Sequence, residues 1–203
     1  MIDNICESLT KKIRMEMPEI DEERAEIIKY GLENIVGEIP KIFIMLILAY
    51  SLGIIKETII TILIIMPYRA VSGGFHLNTH LGCIISTCTF YCGTAIISKH
   101  LEILPEIRYI LLGLILIFGI PMLKKYAPAD TINVPILRKK ERRRKKILSY
   151  IILSSACVIA AIFKDNIISN IVLIGYFIQT CTITEWAYKI TNNKYGYEIY
   201  KAS

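Results

Sequence analysis

Long apolar runs separated by short polar connections dominate this chain, at residues 42–55, 58–66, 81–98, 109–121, 147–163 and 167–183. In hydrocarbon each backbone N–H and C=O must be satisfied within its own segment, and a helix does that. The expectation is therefore an all-α, polytopic helical membrane protein. It has about six transmembrane or partly inserted helices and an N-terminal amphipathic surface helix. With 54% of 203 residues hydrophobic and a positive mean hydropathy of +0.49, the chain is too apolar for an ordinary soluble domain.

Residues 1–39 read as helical and amphipathic, with Ile5, Leu9 and Ile13, a break at Pro18, a start at Asp21, and then Ile27, Ile28, Leu32, Ile35 and Val36 at helical spacing. Residues 1–30 lack an apolar core and are rich in acids, so no secretory signal is expected. Residues 42–55 alone reach only about 21 Å as a helix, against a hydrocarbon core of about 30 Å. A helix starting near Leu32, with Lys41 and Lys56 snorkelling, removes the shortfall. A turn at Lys56 and Glu57 would fold residues 42–71 into a hairpin, with one kinked helix as the rival. One integral membrane domain is expected over 1–203: an amphipathic region (1–39), helices carrying a reactive stretch (40–123), a basic loop (124–146), a helical hairpin (147–184) and a tail (185–203). The tail carries Trp186, Tyr188, Tyr195, Tyr197 and Tyr200, as interfacial aromatics would.

Charge sets the orientation. The formal net charge is +6, yet residues 138–146 alone hold eight cations and one acid, which leaves the rest of the chain near −1. A basic run can meet nucleic acid, but one flanked by apolar spans marks the cytoplasmic side and contacts anionic lipid headgroups, so no nucleic-acid partner is expected. The loop at 124–146 carries ten Lys and Arg, whereas the connections at 99–108 and 164–166 are sparse. Six crossings then put both termini and the region around His76 and Cys83 on the cytoplasmic side. Six cysteines facing a reducing compartment are not a disulfide framework. Cys88, Cys92, Cys157 and Cys181 lie in apolar runs and read as packing residues.

Between the second and third runs lies YRAVSGGFHLNTHLGC, residues 68–83, with ionisable groups pressed between apolar segments. Such groups mark a functional site by default. A nucleophilic thiol needs a neighbouring base. On one unbroken helix His76 and Cys83 would lie about 10 Å apart along the axis, beyond the roughly 3 Å of proton transfer. A bend and N-cap at Asn78 and Thr79 would bring them together and set Cys83 in the first turns of a helix, where the dipole favours a thiolate. His80, three residues from Cys83, is the nearer base on local geometry. Gly73 and Gly74 permit positive φ, and their amides are candidates for an oxyanion site. His76, His80 and Cys83 are the nearest approach to a metal set, but no fourth ligand stands at suitable spacing, so neither metal nor cofactor is expected.

Tyr68-Arg69, Ser72-Gly73-Gly74-Phe75-His76, six intervening residues and Cys83, followed by Lys124-Lys125-Tyr126-Ala127-Pro128-Ala129-Asp130-Thr131, resemble the accessory gene regulator protein B (AgrB) peptidases of Gram-positive quorum sensing. The resemblance implies a membrane cysteine endopeptidase with Cys83 as nucleophile and His76 as general base. It implies supporting or substrate-binding roles for Arg69, Gly73, Gly74, Lys124, Lys125 and Asp130. Glu33, where the family places Gln or Glu ahead of the first span, would orient His76. The implied substrate is an AgrD-like pheromone precursor with an amphipathic leader and an acidic C-terminal tail. Cys83 would release that tail and leave a thioester, which a precursor cysteine converts to a thiolactone. The family also implies a homodimer, although no Gly-x-x-x-Gly face argues for one. Two readings compete: a small transporter or channel lined by Arg69, His76 and His80, and a lipid-binding scaffold organised by the basic run.

Overall fold

A computed structural model of the chain describes residues 2–17, 20–77, 79–132, 135–136, 138–163 and 166–197, with the side chains of 2–5, 23–24, 26–27, 30–31, 33–35, 38 and 80 outside that description. It is all-α, as the apolar runs require. The helices are α1 (Ile2–Glu16), α2 (Glu22–Ser51), α3 (Ile55–Ser72), α4 (His80–His100), α5 (Pro105–Tyr126), α6 (Lys139–Ile162), α7 (Asn166–Thr182) and the short α8 (Glu185–Ile190). Leu81–His100, Pro105–Tyr126 and Lys139–Ile162 are long and apolar enough to cross a membrane, and Ile39–Ser51 and Asn166–Thr182 are shorter apolar helices. The chain forms two compact units, Met1–Leu48 and Ala49–Ser203.

In the first unit α1 ends at Glu16 and α2 starts at Glu22, directly after Asp21, while Pro18 lies outside the described residues. Pro40 does not end α2, which continues to Ser51. Proline removes one amide donor but is tolerated in membrane helices. At 30 residues α2 far exceeds the fourteen of the apolar run. The upstream start makes up the missing length.

The turn between α2 and α3 lies at residues 52–54, not at Lys56 and Glu57. Gly53 has φ 65°, its amide donates to Tyr50 O (3.0 Å), and Ile54 N donates to Ala49 O (2.9 Å). This pair of bonds is a Schellman stop, which needs a residue in the left-handed region. Lys56 and Glu57 already belong to α3, where Glu57 pairs with Lys99 at 3.2 Å.

In the second unit α7 is central, packed against α3, α4, α5 and α6. Ser169, Asn170, Ile171, Val172 and Leu173 are buried in succession, so α7 is covered all round over that turn, and Gly175, Tyr176, Gln179 and Thr180 continue a buried face while Phe177 and Ile178 are exposed. Two sets of hydrogen bonds define the ends of this bundle. At one end Lys99 Nζ donates to Gly53 O (3.0 Å), Asn170 Nδ2 to Ser98 O and Leu101 O, and Arg108 to Ile103 O and Asn166 Oδ1. At the other, residues 72–75, 129–131 and 182–196 are tied together by backbone bonds and by two isolated bridges, Gly73 with Ala129 and Thr131 with Tyr195.

Three further sequence expectations change at these ends. The connection after α4 spans only residues 101–104, because Pro105 opens α5 as an N-terminal proline can. The basic run is not loop throughout: from Lys139 it forms the first turns of α6, and Glu141 meets Lys145 at 3.4 Å one turn on. Trp186 is exposed, but Tyr188 and Tyr195 are buried at 2% and 4%. Their rings stack at 4.0 Å and form part of the core instead of an interfacial belt. Tyr200 lies outside the described residues.

Candidate active site

The last turns of α3 are fixed against the end of α7. Tyr68 stacks on Tyr176 at 4.5 Å with rings 3° from parallel, and its hydroxyl bonds Thr180 Oγ1 at 2.9 Å. One residue further, Arg69 reaches across: Nη1 donates to Gln179 Oε1 (3.1 Å) and Nη2 to Phe75 O (3.1 Å). Gln179 is fully buried, and its Nε2 donates to Ser72 Oγ (3.1 Å) and Gly73 O (2.7 Å). One amide side chain thus ties the arginine to the turn that follows it.

That turn requires both glycines. Gly73 has φ 77° and ψ −152°, a region reached essentially by glycine alone, and a Cβ there would lie 2.2 Å from Ala129 O. Gly74 has φ 144°, and a Cβ there would meet Thr182 Oγ1 at 2.8 Å and Arg69 Nη1 at 3.2 Å. The expected oxyanion role of their amides is not available. Gly73 N donates to Arg69 O and Gly74 N to Ala129 O, both at 2.9 Å, while Ala129 N donates to Ser72 O at 2.8 Å. The turn has become a two-sided bridge with residues 127–131, so its donors are consumed by the fold.

Beyond the turn the expected cap at Thr79 is present, while Asn78 lies outside the described residues. Thr79 is the N-cap of α4, with Oγ1 accepting from Gly82 N at 3.1 Å, and Cys83 N bonds Thr79 O at 2.9 Å. Cys83 therefore sits in the first turn of α4, at the positive end of the helix dipole. His76 is held from the tail, where Asn193 Nδ2 donates to His76 O at 2.8 Å. His76 and Cys83 line one cavity of about 370 Å³ together with Arg69, Phe75, Phe90 and Thr182. His76 is exposed and Cys83 half-buried, so the thiol can be reached. His80 is the first residue of α4, its side chain outside the description. Among the described residues no three His, Cys, Asp or Glu side chains converge as a metal site would require.

Asp130, Lys124 and Lys125 are not among the residues that line this cavity. Asp130 is buried behind the glycine turn, where Oδ2 accepts from Ile136 N (2.9 Å) and Arg142 Nη1 (2.6 Å). Tyr188 OH donates to Ala129 O and Asp130 O, and Tyr195 OH to Ile183 O. Burial pushes both tyrosine hydroxyls well above the ordinary tyrosine range, so they stay protonated donors. Lys124 and Lys125 are exposed in the last turn of α5, with Lys125 Nζ 4.8 Å from the Tyr126 ring. Glu33 lies in α2, in the other unit, with its side chain outside the description. Gln179 and Asn193 escaped the sequence reading, which places the two tyrosines at a membrane interface and not behind the turn. For Gln179 a signal existed, an amide near the end of the apolar run 167–183, which costs free energy unless partnered.

Comparison with known proteins gives the family of the chain. A family model described as Accessory gene regulator B matches residues 5–183. A relative from Clostridium perfringens, described by name as AgrB-like, is 33% identical over 152 residues, 72% of this chain and 69% of its own. A Clostridium acetobutylicum relative of like description is 26% identical over 187 residues, 92% and 85% of the two chains. One from Listeria innocua is 27% identical over 185 residues, 89% and 87%. No solved structure matches the chain. With apolar helices fit to span a bilayer and a family match over nearly its whole length, the chain is a membrane protein of the accessory gene regulator B (AgrB) family, with a role in quorum-sensing peptide processing.

Proposed function

We propose that the protein is a cysteine endopeptidase that cuts an AgrD-like pheromone precursor and passes the acyl group on to form a thiolactone. The observation that carries this reading is the single cavity lined by His76, Cys83 and Arg69. His76 takes the Cys83 proton, and Sγ adds to the carbonyl carbon of the scissile peptide bond, forming a tetrahedral oxyanion. As the C–N bond breaks, His76 returns that proton to the departing amine. The C-terminal fragment leaves, and the rest of the precursor remains as a thioester on Cys83. A cysteine thiol within the bound precursor then attacks the thioester carbonyl, giving its proton to His76 as the Cys83–acyl bond breaks. Cys83 is regenerated and a peptide thiolactone departs. Exchanging one thioester for another is nearly balanced in free energy, so the product survives only if water is kept from the carbonyl. Phe75, Leu77, Phe90 and Ile178 in the cavity wall serve that end.

With both glycine amides consumed by the fold, the donor to the oxyanion in this scheme is Arg69. Gly73 and Gly74 shape the turn that presents His76, and Asp130 braces it from behind. The basic first turns of α6, with Lys124 and Lys125 near them, attract the acidic tail of the precursor and anionic lipid headgroups. These cations share the end of the bundle with the cavity through the Arg142–Asp130 pair, which supports a cytoplasmic site. The precursor's amphipathic leader would lie on the same membrane surface. A homodimer completes the reading. The test is processing in membranes: Cys83→Ala should leave the precursor uncut. Normal cleavage by that variant would end the cysteine-peptidase reading, and solute flux through vesicles without peptide cleavage, requiring His76 but not Cys83, would put a transporter in its place.

A further inference from the structure

Arg69 carries five N–H groups, and two of them are engaged, by a neutral amide oxygen and a neutral carbonyl. Among the described residues no carboxylate stands within ion-pair distance of it. Its charge is therefore held in place without being cancelled, in the wall of the cavity that Cys83 also lines. Gln179 does the holding from α7, some 110 residues away in sequence, and is itself clamped by Ser72 Oγ and Gly73 O. A glutamate at 179 could grip the guanidinium equally well, but it would neutralise the charge and set a carboxylate against Gly73 O. Glutamine does neither.

We infer that Gln179 is a positioning residue that aims the uncompensated Arg69 guanidinium at the carbonyl oxygen of the acyl group attacked by Cys83. The assignment rests on the peptidase reading for its chemistry, but not for its geometry. In the acylation step negative charge appears on that oxygen only as the C–S bond forms, so Arg69 acts on the transition state more than on the bound precursor. Loss of its anchor lowers kcat and leaves KM little changed. A shift of about 1 Å in such a donor is enough for a loss on the order of 100-fold.

The experiment uses the full chain in nanodiscs, with two readouts on Gln179→Met, Arg69→Gln and the double variant. The first needs no precursor: alkylation of Cys83 by anionic iodoacetate and by neutral iodoacetamide, followed by mass spectrometry of the Cys83 peptide. A cation aimed at the thiol favours the anionic reagent. The expected result is that Gln179→Met lowers the iodoacetate-to-iodoacetamide ratio to the level of Arg69→Gln, and that the double variant goes no lower. The second readout is precursor turnover per alkylatable Cys83. It should fall about 100-fold in Gln179→Met, whereas a purely structural role would reduce the number of alkylatable sites and leave turnover per site intact. If Gln179→Met does not fold, Gln179→Ala, which leaves room for water, takes its place. A wild-type ratio in either folded variant, or a further drop in the double variant, overturns the inference. Failure of the wild-type protein to process precursor removes the peptidase reading, and the alkylation ratio still decides whether Gln179 aims Arg69.

Discussion

Gly73→Ala isolates the turn on which the site depends. Alanine at φ 77°, ψ −152° carries backbone strain of about 1–3 kcal/mol. Its Cβ would sit 2.2 Å from Ala129 O and 2.8 Å from Ala129 C, backbone atoms with no side-chain freedom to yield. Relief requires residues 127–131 to move away, breaking Gly74 N to Ala129 O and Ala129 N to Ser72 O, each worth about 1 kcal/mol net. The expected destabilisation is about 3–5 kcal/mol, a fall in thermal midpoint on the order of 10 °C. Gly74→Ala should be milder for the fold, since its Cβ meets the ends of two side chains, Thr182 Oγ1 and Arg69 Nη1. Displacing Arg69 nevertheless damages the site, so this variant should lose processing out of proportion to stability. The assay is a thermal-stability series in detergent alongside precursor cleavage in membranes. A Gly73→Ala protein that melts and cleaves as wild type would refute the bridge between the glycine turn and residues 127–131.

Asp130→Asn removes the negative partner of Arg142 from a carboxylate site only 1% exposed and should destabilise the protein by about 3 kcal/mol, read as a lowered thermal midpoint that Arg142→Gln on top of it does not lower much further. Asn193→Ala releases the His76 carbonyl and should slow cleavage several-fold with little change in melting; equal activity would show the tail contact to be idle. Alkaline pH should loosen the cluster behind the turn. Tyr188 and Tyr195 have folded-state values raised by burial, so the stability they contribute is complete below about pH 10, the unfolded tyrosine value, and is lost as pH rises toward the folded-state values. Tyr195→Phe cannot ionise and should flatten the stability-against-pH curve above pH 10, measured by thermal scans at stepped pH.

The fold is legible in the sequence wherever one short stretch contains its own explanation. The apolar runs become helices, Thr79 caps α4 as its position before the third run implies, and the bend there brings His76 and Cys83 to one cavity although they are seven residues apart. What escaped depends on partners remote in sequence. The amides of Gly73 and Gly74 look available until residues 127–131 are laid beside them, and nothing near residue 73 announces that pairing. Tyr188 and Tyr195 have the composition of an interfacial belt, and only the loop beneath them makes them core. Two misplacements were avoidable. Gly53 is the better stop signal than Lys56 and Glu57, because only it supplies the left-handed residue that a Schellman end requires. Charge alone marks the run from Lys139 to Lys146 as loop, yet helix-favouring Lys, Arg and Glu leading directly into an apolar helix extend it.

The decisive measurement is intact and peptide-level mass spectrometry of the purified protein mixed with its precursor and quenched in acid. If Cys83 captures the acyl group, its peptide carries the mass of the precursor less the released C-terminal fragment, and hydroxylamine removes that mass. An unmodified Cys83 during active cleavage, or an acyl adduct on another side chain, would contradict it.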